Sequence, residues 1–173
     1  MNPAAGPSPA EASNVDLVRE MFDRLWSGEF DAVRDICTDE TVARFPTGTV
    51  RGGEDIAAFF EEMLSALPDL SMELLAVVGE GDDVLIRWRM TATHATDFGG
   101  IATTGKPIAI DGFEHFVFRH RKLASAFVVS DQMQFARQLG MIPPEGSVPD
   151  RVMKAAFGAR TRVARAFGAL RRR

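Results

Sequence analysis

Three side chains capable of acid/base chemistry stand among apolar residues in the second half of the chain: Asp131, Glu114 and His94. A carboxylate in apolar surroundings has its charged form disfavoured, so its pKa rises. A general base works best when its pKa lies near the working pH. The residue types therefore favour proton transfer, with Asp131 as the first candidate base, Glu114 as a second pocket acid and His94 as a rim donor to a substrate oxygen.

Each of these residues also has a structural interpretation. Asp131 directly precedes a predicted helix, where an aspartate accepts hydrogen bonds from free backbone amides and stays ionised. Glu114 could pair with an arginine, and His94 could be a hydrogen-bonded structural group. The sequence leaves both interpretations open for all three residues.

The chain offers little for a metal, a cofactor or a covalent nucleophile. The other two histidines, His115 and His120, are predicted on the opposite sheet face and in a turn, so the imidazoles do not converge on a metal. The lone cysteine, Cys37, excludes an internal disulfide and a cysteine-built zinc site. The glycine-rich pieces at 48–53 and 99–105 lack the spacings of phosphate and dinucleotide loops. We expect neither a metal nor a cofactor.

Long strands must position the candidate residues, and the second half of the sequence has the period of strands. Alternate residues of a strand share a face, and the face that holds Trp88 and Met90 is apolar. The predicted strands are residues 70–78, 84–94, 107–118 and 122–131, with turns at 79–83 and at His120-Arg121.

The two-residue turn at His120-Arg121 sets which residues of the last two strands share a face. It pairs Leu123 with Phe118, and regular pairing from there places Asp131 and Glu114 on one apolar face; a slip of one residue would invert that face. Glycine at 112 leaves room beside the carboxylates, which indicates a cavity. The predicted pocket wall consists of Trp88, Met90, Gly112, Phe116, Phe127 and Val129.

Helices are predicted to precede these strands. Ser13 and Asp16 form a capping box, and apolar residues then recur at three- and four-residue steps until Gly28. The remaining predicted elements are a short helix at 30–37, a strand at 41–45, a turn cluster at 48–53, and helices at 56–67 and 132–139. Helices followed by long antiparallel strands predict an α+β domain whose helices cover one sheet face.

Charge is unevenly distributed along the 173 residues, whose net charge is −4. Residues 149–173 carry eight Lys/Arg against one acid, Asp150, so this segment is +7 and the preceding 148 residues are −11. An acidic body does not suit a nucleic-acid groove. No apolar run approaches the roughly 20 residues of a membrane span, and the single cysteine favours a reducing cytoplasm.

We divide the chain into a flexible tail at residues 1–12, a domain at 13–144 and a basic helical extension at 145–173. The tail has neither the basic start nor the apolar stretch of a secretory signal. The extension places apolar residues near one helix face. It could pack on its own domain, on a partner subunit, or on an acidic partner such as a carrier protein or an anionic lipid.

Several short motifs occur in a fixed order: Leu67-Pro68-Asp69-Leu70, Arg87-Trp88, residues 93–101, Thr104-Gly105-Lys106, Asp131-Gln132 and Arg137-Gln138-Leu139-Gly140. In this order and spacing they resemble the SnoaL-like polyketide cyclase family, from about Val15 to Pro144. The resemblance implies a nuclear transport factor 2-like cone, in which a strongly bent antiparallel sheet wraps on three N-terminal helices. The C-terminal helix would be an addition to that cone.

The same resemblance implies a role for Asp131. The family's aspartate at the end of the last strand removes a carbon-bound proton, and the enolate closes a ring by intramolecular aldol addition without a metal or cofactor. Many relatives carry a His-Trp pair where this chain has Ala126-Phe127, so a possible oxyanion donor is missing here. Steroid isomerase and epoxide hydrolase relatives rely on a tyrosine, and this chain has none.

Three functions follow as hypotheses. The first is an acid/base enzyme acting on a small, hydrophobic, polyketide-like carbonyl compound. The second is a non-catalytic module that binds a small hydrophobic ligand in the same pocket. The third is an interaction protein that forms a homodimer through the outer sheet face.

Overall fold

The computed structural model describes residues 13–97 and 100–170. The helices are α1 (Asn14–Trp26), α2 (Asp31–Ile36), α3 (Gly53–Ala66), α4 (Gln132–Leu139) and α5 (Val148–Leu170). The strands are β1 (Val42–Phe45), β2 (Gly48–Arg51), β3 (Ser71–Glu80), β4 (Asp83–Thr93), β5 (Pro107–Arg119) and β6 (Lys122–Ser130). The predicted tail at residues 1–12 lies outside the described residues.

The strands form one sheet in the order β2-β1-β6-β5-β4-β3. The long neighbours β3 to β6 are antiparallel, as predicted, whereas β1 runs parallel to β6. The sequence analysis was wrong about residues 48–51, because the glycine-rich turn cluster contains the edge strand β2, which pairs with β1. The α+β fold class is confirmed.

The first helix begins with the predicted capping box. The Ser13 hydroxyl accepts a hydrogen bond from the Asp16 amide at 3.2 Å, and the Asp16 carboxylate accepts one from the Ser13 amide at 2.9 Å. Behind this cap, Val18, Phe22 and Leu25 are buried. They belong to one hydrophobic core in which α1, α2 and α3 contribute buried residues with the inner face of the sheet.

The β5–β6 hairpin contains the predicted two-residue turn. His120 and Arg121 have φ values of 48° and 61°, as a tight turn with the twist of the sheet requires. Phe118 pairs with Leu123 as expected, but the register shifts immediately afterwards, and Val117 pairs with Ser125. A β-bulge therefore inserts one extra residue, Ala124, into β6.

The bulge reverses the faces of β6 relative to the regular pairing expected from the sequence. Beyond it Ala126 and Val128 are buried on the inner face. Phe127 and Val129 point outward and are 52% and 49% exposed. Their predicted place in the pocket wall was wrong, because a single extra residue exchanges the two faces of a strand.

Candidate active site: an apolar cavity with one carboxyl group

A cavity of about 190 Å³ lies between the inner face of the sheet and the helices. Its wall combines side chains of α1, α3 and α4 with side chains of five strands and two loops. The lining residues are Trp26, Phe45, Pro46, Thr47, Phe59, Phe60, Met63, Met72, Trp88, Met90, Ile101, Ile110, Glu114, Val128, Ser130, Gln132 and Phe135. The wall is thus almost entirely apolar and aromatic, which suits a small hydrophobic ligand.

Glu114 is the one ionisable side chain among the described residues that line this cavity. It lies in the middle of β5, on the inner face, between Ile86 of β4 and Val128 of β6. Burial disfavours the charged carboxylate and raises its pKa to about 7, while the neighbouring Trp88 side chain acts in the opposite direction. Glu114 can therefore both hold and release a proton near neutral pH.

Two indole groups border the same space. Trp88 and Trp26 line the cavity, and the Nε1 atom of each is buried without a hydrogen-bond partner. A buried donor without a partner costs roughly 1–3 kcal/mol. Both residues border the cavity, and the Trp88 side chain lies close enough to the Glu114 carboxyl group to lower its pKa.

Gly112 positions one of these indoles. A Cβ atom built at Gly112 would lie 2.2 Å from Cζ2 of Trp88, so the ring occupies the space that another residue would fill. The sequence analysis expected Gly112 to open room for a ligand and to line the pocket. The structure corrects this expectation, because the Trp88 ring fills the room and Gly112 does not line the cavity.

Aromatic rings from α1, α3 and strand β1 build the opposite wall. Phe45 stacks on Phe59 with ring centroids 4.2 Å apart, and Phe60 makes edge contacts with Trp26 and Phe45. The sequence analysis missed these residues as pocket wall. The helical spacing of Trp26, Phe59 and Phe60 indicated buried helix faces, but periodicity does not distinguish residues around a cavity from residues in a solid core.

A second, smaller cavity of about 30 Å³ lies next to the first. Trp26, Phe45, Phe60, Glu114 and Val128 border both. The small cavity also touches Phe116 and Ala126, so Phe116 belongs to this wall. Ala126 and Glu114 thus border the same small cavity.

Asp131 lies outside both cavities. Its side chain is exposed, and its carboxylate accepts a hydrogen bond from the Gln134 amide at 2.8 Å as the N-cap of α4. Its neighbours Ser130 and Gln132 line the cavity instead, joined by a 2.8 Å hydrogen bond. The expectation that Asp131 and Glu114 share the inner face was wrong, because the extra residue in β6 exchanges the two faces of the strand beyond it.

His94 is fully buried and closes the loop between β4 and β5. Its Nδ1 accepts a hydrogen bond from the Thr104 amide at 3.1 Å and contacts the Thr104 hydroxyl at 3.1 Å. Its Nε2 has no partner, and His94 does not line either cavity. The geometry therefore supports the structural interpretation of His94 rather than a pocket-rim donor.

The other candidate chemistries find no geometric support. Within residues 13–97 and 100–170, no three His, Cys, Asp or Glu side chains are grouped as metal ligands would be. Burial raises the pKa of Cys37 to about 11, which suits packing rather than nucleophilic attack. In the described part of the chain, no helix has the length and apolar character needed to cross a membrane.

The bent sheet, the helices packed on it and the apolar cavity between them define an α+β cone of the nuclear transport factor 2-like type. The model of the SnoaL-like polyketide cyclase family matches residues 16–139, and the chain belongs to this family. The resemblance inferred from the sequence is thereby confirmed. No curated protein matches the chain in sequence.

Solved structures agree with this assignment. A candidate SnoaL-like polyketide cyclase from Jannaschia sp. CCS1 superimposes with a TM-score of 0.70 at 24% identity, over 82% of this chain and all of that one. AclR, a candidate hydroxylase from Streptomyces galilaeus, superimposes with a TM-score of 0.65 at 25% identity, over 75% of this chain and 97% of that one. IdmH, a candidate polyketide cyclase from Streptomyces antibioticus, superimposes with a TM-score of 0.65 at 22% identity, over 75% of this chain and 99% of that one.

Proposed function

We propose that the chain is a cofactor-independent acid/base enzyme that acts on a small, hydrophobic, polyketide-like carbonyl compound. The proton-transfer group in this proposal is Glu114 rather than Asp131. The observation that carries it is a single carboxyl group with a pKa of about 7 in an otherwise uncharged cavity. Family membership supports the reaction type, an intramolecular aldol closure or a related proton transfer.

The proposed reaction begins with the ionised Glu114 removing a proton from the carbon next to a carbonyl group. The C–H electron pair moves into an enolate, whose oxygen accepts hydrogen bonds from Nε1 of Trp88 and Trp26. Fixed donors in a water-poor site stabilise such developing charge strongly. The enolate carbon then attacks a second carbonyl of the same molecule, and the protonated Glu114 returns its proton to the new alkoxide.

Cavity size and charge constrain the substrate. A cavity of about 190 Å³ is below the usual range of roughly 300–1,000 Å³ for drug-sized ligands. It is slightly larger than the roughly 150 Å³ that accommodates benzene in another protein. Among the described residues, the wall offers no cation to pair with an anionic group. We therefore expect a neutral ligand of about one ring that carries at least one carbonyl.

Acetophenone tests the first chemical step, because it is a one-ring ketone whose methyl protons exchange slowly in heavy water. We expect the wild-type chain to accelerate deuterium incorporation, measured by NMR. Glu114→Gln should reduce the acceleration at least about a hundredfold, as loss of a general base does. Asp131→Asn should retain it. Loss of exchange in the Asp131 variant alone would assign the chemistry to Asp131 and contradict the proposal.

The alternative function is a non-catalytic binding module of the same fold. One observation favours it: the aspartate that matches the family's acid/base residue faces solvent and caps α4. In that case acetophenone should bind, and its proton exchange should be as slow as in buffer. Ligand-detected NMR titration on the same samples separates binding from exchange.

We also propose a homodimer formed through the outer sheet face. Two adjacent rows across the sheet carry exposed apolar side chains, one with Leu85 and Phe127 and the next with Phe113 and Val129. Each of the four is about half exposed. His115 lies between Leu85 and Phe127 in the first row. Clustered exposed apolar side chains of this kind commonly mark a protein interface.

A further inference from the structure

The C-terminal helix α5 is anchored at its first turn and exposed beyond it. Asp150 is 1% exposed, and its carboxylate accepts hydrogen bonds from the Gly146 amide at 3.0 Å and from Lys154 Nζ at 2.7 Å. From residue 151 to residue 165 every side chain is exposed, and only the backbone of Gly158 is half-buried. The extension therefore does not pack along its own domain.

The exposed part of α5 is amphipathic. Val152, Phe157, Val163 and Phe167 are between 54% and 73% exposed and lie on one half of the helix surface. Arg151, Lys154, Arg162 and Arg165 lie on the other half, and Arg160 lies within the apolar half. Bulky apolar side chains on a helix without tertiary packing are unfavourable in water, so this face requires a partner.

The charge of α5 indicates the kind of partner that it would bind. After Asp150 the chain contains no acidic residue and eight basic ones. Within the described residues, Arg160, Arg162 and Arg165 form no ion pair. We propose that α5 lies on an anionic lipid surface, with its apolar half among the acyl chains and its basic half at the headgroups. Basic amphipathic helices bind in this manner, and Arg160 can extend its guanidinium to the headgroups along its apolar stem.

A second copy of the chain fits less well. Pairing α5 with another α5 would bring together two helices of the same charge. The apolar patch on the outer sheet face is bordered by Arg87 and Arg89, and Asp111 is already bound to both of them at 2.7–3.1 Å. The Asp111 carboxylate is therefore already paired and is not free to bind a basic helix. This proposal is independent of the reaction proposed for Glu114.

Co-sedimentation of the full-length chain with vesicles tests the proposal. We expect at least about tenfold tighter binding to phosphatidylcholine mixed with phosphatidylglycerol than to phosphatidylcholine alone, and weaker binding as salt is raised. Each basic residue near an anionic surface strengthens binding about fivefold. The triple variant Arg160→Gln/Arg162→Gln/Arg165→Gln should therefore bind roughly a hundredfold more weakly.

The apolar half is tested by Phe157→Ser/Phe167→Ser, which should also lose binding to the mixed vesicles. Met133→Ser is the control, because Met133 is also an apolar side chain more than half exposed but belongs to α4. Its binding should equal that of the wild type. Circular dichroism checks that each variant keeps its helix content. Equal binding to both vesicle types, or no binding at low salt, would refute the lipid surface. The proposal would also be refuted if the wild type forms a dimer without lipid and Phe157→Ser/Phe167→Ser does not. In that case a second copy of the chain would cover α5.

Discussion

Glu114 binds its proton more tightly in the folded chain than in the unfolded one, because burial raises its pKa from 4.5 to about 7. Between these two values the unfolded chain releases the proton while the folded chain still holds it. The free energy of unfolding therefore falls as pH rises from about 4.5 to about 7. The same burial that gives Glu114 its chemistry makes the protein less stable at neutral and alkaline pH.

Glu114→Gln should remove this pH dependence, because glutamine is neutral at every pH. We expect the variant to match the wild type near pH 4.5 and to exceed its free energy of unfolding at pH 8 by about 3 kcal/mol. Urea denaturation at both pH values measures the difference. Asp131→Asn is the control, because asparagine caps a helix about as well as aspartate and should leave the free energy of unfolding close to that of the wild type at both pH values. If the free energies of unfolding of the wild type and Glu114→Gln differ by the same amount at both pH values, the assignment of a raised pKa to Glu114 is contradicted.

Trp88→Phe keeps an aromatic ring beside Glu114 and removes the indole N–H. Since a hydrogen bond to a charged group contributes about 1.5–3 kcal/mol, acetophenone exchange should slow by roughly tenfold to a hundredfold. Trp88 also lowers the pKa of Glu114. The midpoint of the pH–rate profile, near pH 7 in the wild type, should therefore move upward. A slower rate with an unmoved midpoint would indicate a purely steric role for the indole.

At the scale of elements, the sequence predicted the helices, the four long strands and the turn between β5 and β6. It also placed Trp88 and Met90 on the core-facing side of one strand and Glu114 among apolar residues on a face of another. These predictions succeeded because periodicity reports burial directly. Glu114 and Trp88 could be assigned to the site because β4 and β5 pair without a break from Asp83 to Thr93.

The residues on β6 could not be predicted in the same way. The bulge beside Val117 has no glycine or proline to mark it, and Ala124 fits either a regular or a bulged strand. Every residue after it was consequently placed on the wrong face, Phe127, Val129 and Asp131 included. Local sequence does not encode this register, because the packing of both sheet faces decides it.

The exposed patch on the outer face gives a prediction about assembly. Phe113→Arg places a charge in the middle of the two apolar rows and should convert a dimer into a monomer, as measured by sedimentation equilibrium. Met141→Arg is the control, since Met141 is equally exposed but follows α4 and lies outside the patch. If the wild type is monomeric at high concentration, or if both variants behave alike, the outer face is not the interface.

At the scale of the whole molecule, the chain separates two regions. The family match covers residues 16–139 and contains every residue that lines the cavity. The basic helix α5 begins after it and carries charge opposite to that of the remaining chain. Asp150 fixes only the first turn of α5. We therefore expect substitutions in α5 to change vesicle binding but not acetophenone exchange, and substitutions in the cavity to change exchange but not vesicle binding.

The two adjoining cavities also affect how the molecule responds to compression. Internal space that solvent does not fill adds to the volume of a folded chain, and unfolding eliminates that space. Hydrostatic pressure should therefore favour the unfolded chain. A ligand that fills the space beside Glu114 should raise the pressure at which half of the molecules unfold. Pressure is thus a means to recognise an occupant of the site even when its chemical identity is unknown.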